Sequence, residues 1–386
     1  MGNGLELMES MATFAALNHS SRIGLSILSA MYKHNFNAGP SHLPESVLAE
    51  CQRAVRNFQD SGLSILEVSH RGPLFIPVME EARALARELM HLEDDFEVLF
   101  LHGGGRMQFM QVAANLLDAG GKAAYIDTGT WAHQALEEAR MYGEVEVVAS
   151  SADQGYTYIP KQYEVPADAS YLHITTNNTI FGTQYHAIPD TAVPLVADMS
   201  SDIMSWAMDF NRFSLIYAGA QKNIGAAGVS LVAVRKSLLG KTTRPIPHIL
   251  DYRLHINQDS MLNTPPVFAV YTCMLTLRWL KEQGGVPAIE RANREKARLL
   301  YGTIDTFPIF KGTVRQEDRS LMNVCFVLDT KELEATFSET CKREGIYGIK
   351  GHRSVGGFRI SLYNAVSLES VRVLTDIMKD FGNRKS

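Results

Sequence analysis

Between residues 97 and 235 the chain lays down seven short apolar runs: EVLFLH, KAAYID, EVEVVAS, YLHITT, PLVADMS, FSLIYAGA and VSLVAVR. Helical stretches follow the first two, one after Gly105 and one from Trp131 to Met141. Strands alternating with helices build βαβ units, which close into a mainly parallel sheet. The near-continuous apolar character of the later runs suits strands covered on both faces. The expected fold class is therefore α/β, with a large domain around a mainly parallel seven-stranded sheet. At 386 residues, 46 % of them hydrophobic, the chain is long enough to bury a large core and to divide into more than one domain.

The flanks read differently. Helical spacing runs from Val47 to Phe58 and from Ile76 to Leu92, the second carried by Val78, Ala82, Leu85 and Leu89. After Pro265 and Pro266 a long helical pattern passes Trp279 and Leu280 and stops at Gly284-Gly285, and a second runs from Pro287 to Tyr301. A boundary is placed there, giving a large domain over residues 31–284 and a smaller α+β domain over 285–386. Strands near MNVCFVLD and GGFRISLYN, with helices at Lys331 to Glu344 and Leu368 to Phe381, make up the smaller unit. The early helix at Val47 is expected to pack on it. Residues 1–30 have neither strong periodicity nor turn chemistry, and Glu6, Glu9 and Arg22 are misplaced for a signal peptide. They are expected to be a disordered extension.

A formal net charge of -5 offers no general pull on nucleic acid or on an anionic membrane. Anionic ligands must then be held by local basic groups. No run of about 18 apolar residues is present to cross a bilayer. Cys51, Cys273, Cys325 and Cys341 are scattered and form no CxxC pair, which suits buried free thiols in a reducing cytoplasm. No metal is expected.

Ligands of open α/β sheets collect at the carboxyl ends of strands, so polar groups after apolar runs are the ones to inspect. In LFLHGGGRMQF a strand meets three glycines and then a helix whose N-terminus can receive an anion, although a tight βα turn would look the same. PLVADMS puts Asp198 directly after a buried strand, where a carboxylate needs a cation or caps a helix. FSLIYAGAQKN ends in Lys222, an amine that burial can turn into a nucleophile and base, though most lysines are merely solvated. Two glycine-flanked pairs, His70-Arg71 and His352-Arg353, stand with Arg359 as a basic set in an acidic chain. Arginine forks suit phosphate or carboxylate, and either pair alone would pass as ordinary solvated side chains.

Together these residues resemble the phosphoserine aminotransferases, fold-type I pyridoxal-phosphate enzymes. The likeness runs through NFNAGPSHLP (35–44), EVSHRG (67–72), HGGGRMQF (102–109), TTNNTIFGTQ (175–184), ADMSSDI (197–203), IYAGAQKNIG (216–225), NTPP (263–266) and GHRSVGGFR (351–359). It implies pyridoxal 5'-phosphate as cofactor. Lys222 would bond to it and move the substrate proton, Asp198 would keep the pyridine nitrogen protonated, Trp131 would stack on the ring, and Thr179 would bond near the phenolic oxygen. Gly105, Arg106 and Gln221 would bind the phosphate, with Asn263 and Thr264 reaching across from a second subunit of a homodimer. Arg359 would take the substrate α-carboxylate. His70, Arg71, His352 and Arg353 would receive the distal phosphate of a phosphorylated 2-oxo acid or the side-chain carboxylate of L-glutamate.

The implied reaction moves an amino group between glutamate and 3-phosphohydroxypyruvate in serine biosynthesis. The sequence leaves open whether 4-phosphohydroxythreonine, the related substrate of vitamin B6 synthesis, is also used. Two departures stand away from the catalytic positions: Ala226 in place of proline, and IMSWAMD after the aspartate segment. The rivals are a class V aminotransferase of the serine or alanine–glyoxylate type, against which the His-Arg pairs argue, and a non-catalytic binding protein, which should have lost Lys222 or Asp198. A P-loop protein is excluded, because the glycine run lacks the Gly-Lys-Ser/Thr ending.

Overall fold

The computed structural model describes residues 33–385, so the expected disordered extension over 1–30 lies outside the described residues. Seven strands form the central sheet: β1 (Phe96–His102), β2 (Lys122–Asp127), β3 (Glu144–Ser150), β4 (Ala169–Thr175), β5 (Leu195–Asp198), β6 (Leu215–Gly219) and β7 (Val229–Arg235). Their order is β1-β7-β6-β5-β4-β2-β3. Only β7 runs antiparallel to its neighbours. The carboxyl ends of the other six therefore share one rim. Strands β5 and β6 are buried along their whole length, as unbroken apolar runs require. At the sheet edge β3 is only half-buried and carries Glu144 and Glu146, a charged border that discourages further pairing.

The helices of the large unit are α1 (Glu45–Arg56), α2 (Ile76–Leu89), α3 (Gly105–Leu116), α4 (Thr130–Ala139) and α5 (Val267–Glu282). Backbone geometry explains where they stop short of the sequence pattern. Asn57 is extended and Gln59 has φ 50°, which ends α1 before Phe58. His91 has φ 49°, which closes α2 before Leu92. The expectation that α1 packs on the smaller unit is corrected. Its buried Val47, Cys51 and Ala54 join the large core, Cys51 lies 3.5 Å from Thr272 of α5, and Phe58 meets Tyr271 edge-on. The residues before α1 pack on the smaller unit instead: His34–Asn35 pairs in parallel with Ile346–Tyr347, and Phe36 enters the second core.

That second core lies between α6 (Gly285–Thr306), α7 (Lys331–Arg343), α8 (Leu368–Lys385) and a three-stranded antiparallel sheet of β8 (Phe310–Gly312), β9 (Asn323–Leu328) and β10 (Phe358–Ser361). Phe310, Phe326, Phe337, Phe358 and Phe381 meet mostly edge to face. At roughly 1.5–3 kcal/mol per fully buried phenylalanine, they account for much of what holds so small a sheet together. Helix α6 belongs to both cores: Val286 and Ile289 point into the large one, Ala297, Leu300 and Ile304 into the small.

All four cysteines are buried and free. Among the described residues no helix is long and apolar enough to cross a membrane.

Just beyond β6, Gly225 packs so closely on α5 that an added Cβ would lie 2.5 Å from Cys273 Sγ and 3.0 Å from its Cα. Gly225→Ala is expected to lower the unfolding free energy by about 1–3 kcal/mol. Urea unfolding should show this as a lower midpoint at an unchanged m-value.

Candidate active site

The strand ends on the common rim converge on one cavity of about 460 Å³. From β1 the chain turns through Gly103, at φ +97°, into α3, whose N-cap Gly104 makes no side-chain cap. The first N–H groups of α3 are thus free to receive an anion, with the helix dipole behind them. A Cβ on Gly105 would meet Ser200 Oγ at 2.8 Å, so glycine here lets the helix start seat against the turn after β5 without displacing that hydroxyl.

Asp198 closes β5, in register with Thr175 of β4 and Tyr217 of β6. Its Oδ1 accepts from the Ser200 N–H at 2.8 Å, and Ser200 Oγ accepts from Gly219 N–H at 3.1 Å. Lys222 follows β6 by a short turn, which a distant segment holds from outside. There Ser41 N–H donates to Gln221 O at 2.9 Å, the Ser41 hydroxyl donates to Lys222 O, and Gly39 packs beside the lysine side chain. On α4, Trp131 Nε1 donates to Thr179 Oγ1 at 2.9 Å. Arg359, on β10, donates through Nη1 to Thr179 O at 3.1 Å, while its buried Nε has no partner.

Burial acts on both central groups. It lowers the proton affinity of Lys222, with Arg359 acting in the same sense and Asp198 and Asp202 opposing. It raises that of Asp198, against the Lys222 charge and the Ser200 hydrogen bonds. An amine made less basic beside a carboxylate, at the mouth of a cleft, can act as a nucleophile and proton carrier. A second carboxyl, Asp202, accepts from Thr176 Oγ1 at 2.5 Å and from Gln184 Nε2 at 3.2 Å. Burial pushes it up to about 7.

Of the residues singled out in the sequence, Gly105, Arg106, Trp131, Thr179, Asp198, Gln221, Lys222, His352 and Arg359 line the cavity. His70, Arg71, Arg353, Asn263 and Thr264 are not on its wall. Arg71, Arg353 and Thr264 are exposed, and His70 is half-buried with an unpartnered Nε2. Ala38, Gly39, Gly104, Phe109 and Ser200, not among the residues singled out in the sequence, also line it. Ser200 stands two residues after Asp198, and Gly39 lies inside NFNAGPSHLP, so a signal was present for both.

These groups fit pyridoxal phosphate. The uncapped start of α3 suits its phosphate, Asp198 its ring nitrogen and Lys222 its aldehyde carbon, and the unpartnered Arg359 Nε suits a substrate carboxylate.

The family model for class-V aminotransferases matches residues 33–374. The phosphoserine aminotransferase of Flavobacterium johnsoniae is 55 % identical over 350 residues, 90 % of this chain and 98 % of its own length. In structure the chain is similar to the phosphoserine aminotransferase of Bacillus circulans subsp. alkalophilus, with TM-score 0.89, 43 % identity, and 92 % and 99 % of the two chains covered. It is also similar to a PLP-bound phosphoserine aminotransferase from Trichomonas vaginalis, with TM-score 0.84, 34 % identity, and 90 % and 100 % covered.

Asp202 gives a pH signature. Its folded-state pKa of about 7 lies above the unfolded value near 3.9, so its stabilising effect is complete below about pH 4 and is lost as pH rises through 7. Between those limits the wild type should lose stability relative to Asp202→Asn at about 1.4 kcal/mol per pH unit. Parallel unfolding curves from pH 4 to 8 check this; a constant difference would rule it out.

Proposed function

Since the chain belongs to the class-V aminotransferase family, we propose that it works as a phosphoserine aminotransferase, exchanging an amino group between L-glutamate and 3-phosphohydroxypyruvate to give 2-oxoglutarate and O-phospho-L-serine. One observation carries the reading: Lys222, Asp198 and Arg359 face a single cavity whose floor is the open start of α3. When bound, pyridoxal phosphate supplies an electron sink that lets the substrate's α-proton leave. Lys222 Nζ would take that proton from the α-carbon and deliver it to the carbon across the nitrogen, and its lowered basicity suits both tasks. Asp198 keeps a proton on the ring nitrogen. Trp131, tethered by Thr179, covers the ring and excludes water from one face. Gly105, Arg106 and Gln221 hold the phosphate.

Arg359 orients the substrate α-carboxylate. His352 on the cavity wall, joined by Arg353, His70 and Arg71, which do not line the cavity within one chain, receives either the phosphate of the keto acid or the side-chain carboxylate of glutamate, so one basic set serves both halves of a ping-pong cycle. This doubled set favours a phosphorylated acceptor over the alanine or glyoxylate substrates of other class V enzymes. Asn263 and Thr264 belong to the neighbouring site of a homodimer. Thr264 is exposed, which leaves it open to a second chain. In this reading residues 31–284 form the cofactor-holding unit, 285–386 the unit that brings Arg359, and the enzyme works in the cytoplasm.

The first test is the visible spectrum. The purified holoenzyme is expected to be yellow, to bleach with glutamate, and to regain its colour with phosphohydroxypyruvate. A yellow protein indifferent to both compounds would overturn the substrates while leaving the cofactor. Light scattering should find two chains of 42.8 kDa per particle; a monomer with full activity would remove Asn263 and Thr264 from the site.

A further inference from the structure

Midway along α6, where the helix passes from one core to the other, Lys296 is 1 % exposed. Its Nζ donates to Leu362 O at 3.0 Å, Tyr363 O at 2.9 Å and Val366 O at 3.0 Å. Its three polar contacts are all main-chain carbonyls, which use every donor of the protonated amine, and burial with no ion pair among the described residues lowers its pKa to about 7. Burying a lysine this way costs its hydration and most of its side-chain freedom, so the arrangement needs a return. What it fixes is the turn over residues 362–366, which joins β10 to α8.

That turn touches the active site at two points. The Tyr363 hydroxyl donates to Ala38 O at 2.9 Å, and Ala38 lines the cavity. The Asn364 N–H donates to Asn223 Oδ1 at 3.0 Å, and Asn223 is the residue after Lys222. The turn also follows directly on the strand that carries Arg359, whose own N–H is held by Ile349 O at 2.8 Å. Asn323 ties the same tyrosine from β9, donating through Nδ2 to its hydroxyl at 3.3 Å. Lys296 thus anchors a turn that follows the strand of Arg359 and meets Asn223, the neighbour of Lys222.

We propose that Lys296 is a positioning residue of the transamination site: by clamping the 362–366 turn it fixes Arg359 relative to Lys222 and so sets the affinity for the substrate α-carboxylate. The proposal rests on the reading that Arg359 receives that carboxylate. A residue acting this way governs how well substrate is held more than how fast the held substrate reacts.

The holoenzyme of Lys296→Met, which keeps the volume and loses the donors, is expected to raise KM for glutamate about tenfold. Its kcat should stay within about threefold and its cofactor band in place. Tyr363→Phe, which removes the bond to Ala38 and the longer one from Asn323 while leaving Lys296 in place, should raise KM in the same direction and decides the matter alone if Lys296→Met does not fold. Leu300→Ala, a cavity in the small core, should lower the melting temperature without moving KM. A folded Lys296→Met with unchanged KM, or with its loss confined to kcat, overturns the proposal. If the wild type itself ignores glutamate, the fault lies in the functional reading and not in this one.

Discussion

The site depends on the parallel pairing of β5 with β6. Val196, Ala197 and Asp198 stand opposite Leu215, Ile216 and Tyr217. This register brings the carboxylate to the rim just where the next strand hands the chain on to Lys222. Both strands are buried on both faces, with Ala197 and Ile216 entering one core and Val196 and Leu215 the other, and a slip of one residue would carry Asp198 off the rim. The placement of the acid and the amine is thus secured by apolar burial, not by their mutual attraction. Once so placed, each charge offsets part of the effect of burial on the other.

Beneath the cavity the two apolar cores meet across a polar seam. Asn177 Nδ2 donates to Ser201 Oγ and to Asn323 Oδ1, each at 2.8 Å. Asn223 Nδ2 donates to Ser201 O at 3.1 Å, and Asn293 Nδ2 to Ser205 O and Asn364 Oδ1 at 2.8 and 2.9 Å. Each such bond adds about 1 kcal/mol net, but leaving any of these buried groups unmade costs about 1–3 kcal/mol. The seam contributes little adhesion and much selectivity: it permits one relative placement of the two units and penalises the rest. A site whose amine and arginine come from opposite sides of the seam needs that property.

The sequence made the seven strands, the glycine-led helix and the chemistry at strand ends legible, because each signal is local. Asp198 and Lys222 follow apolar runs, and Gly105 opens a helix. Helix ends were misjudged where a single backbone angle decided them, as at Gln59 and His91. The docking of α1 was misjudged because its apolar stripe carries no address for the surface it will cover. Lys296 was invisible for a deeper reason. In a charged, amphipathic helical stretch it reads as a solvated residue, and only the carbonyls of a turn far along the chain make it interior. Ala38 and Gly39 reach the cavity by the same kind of long-range closure.

Helix α6 gives its first turns to one core and its later turns to the other. A rod embedded at both ends cannot leave one core without disturbing the other, so neither unit has a surface along which it could melt alone. An opening large enough to free the smaller unit therefore has to draw α6 out of the larger core as well.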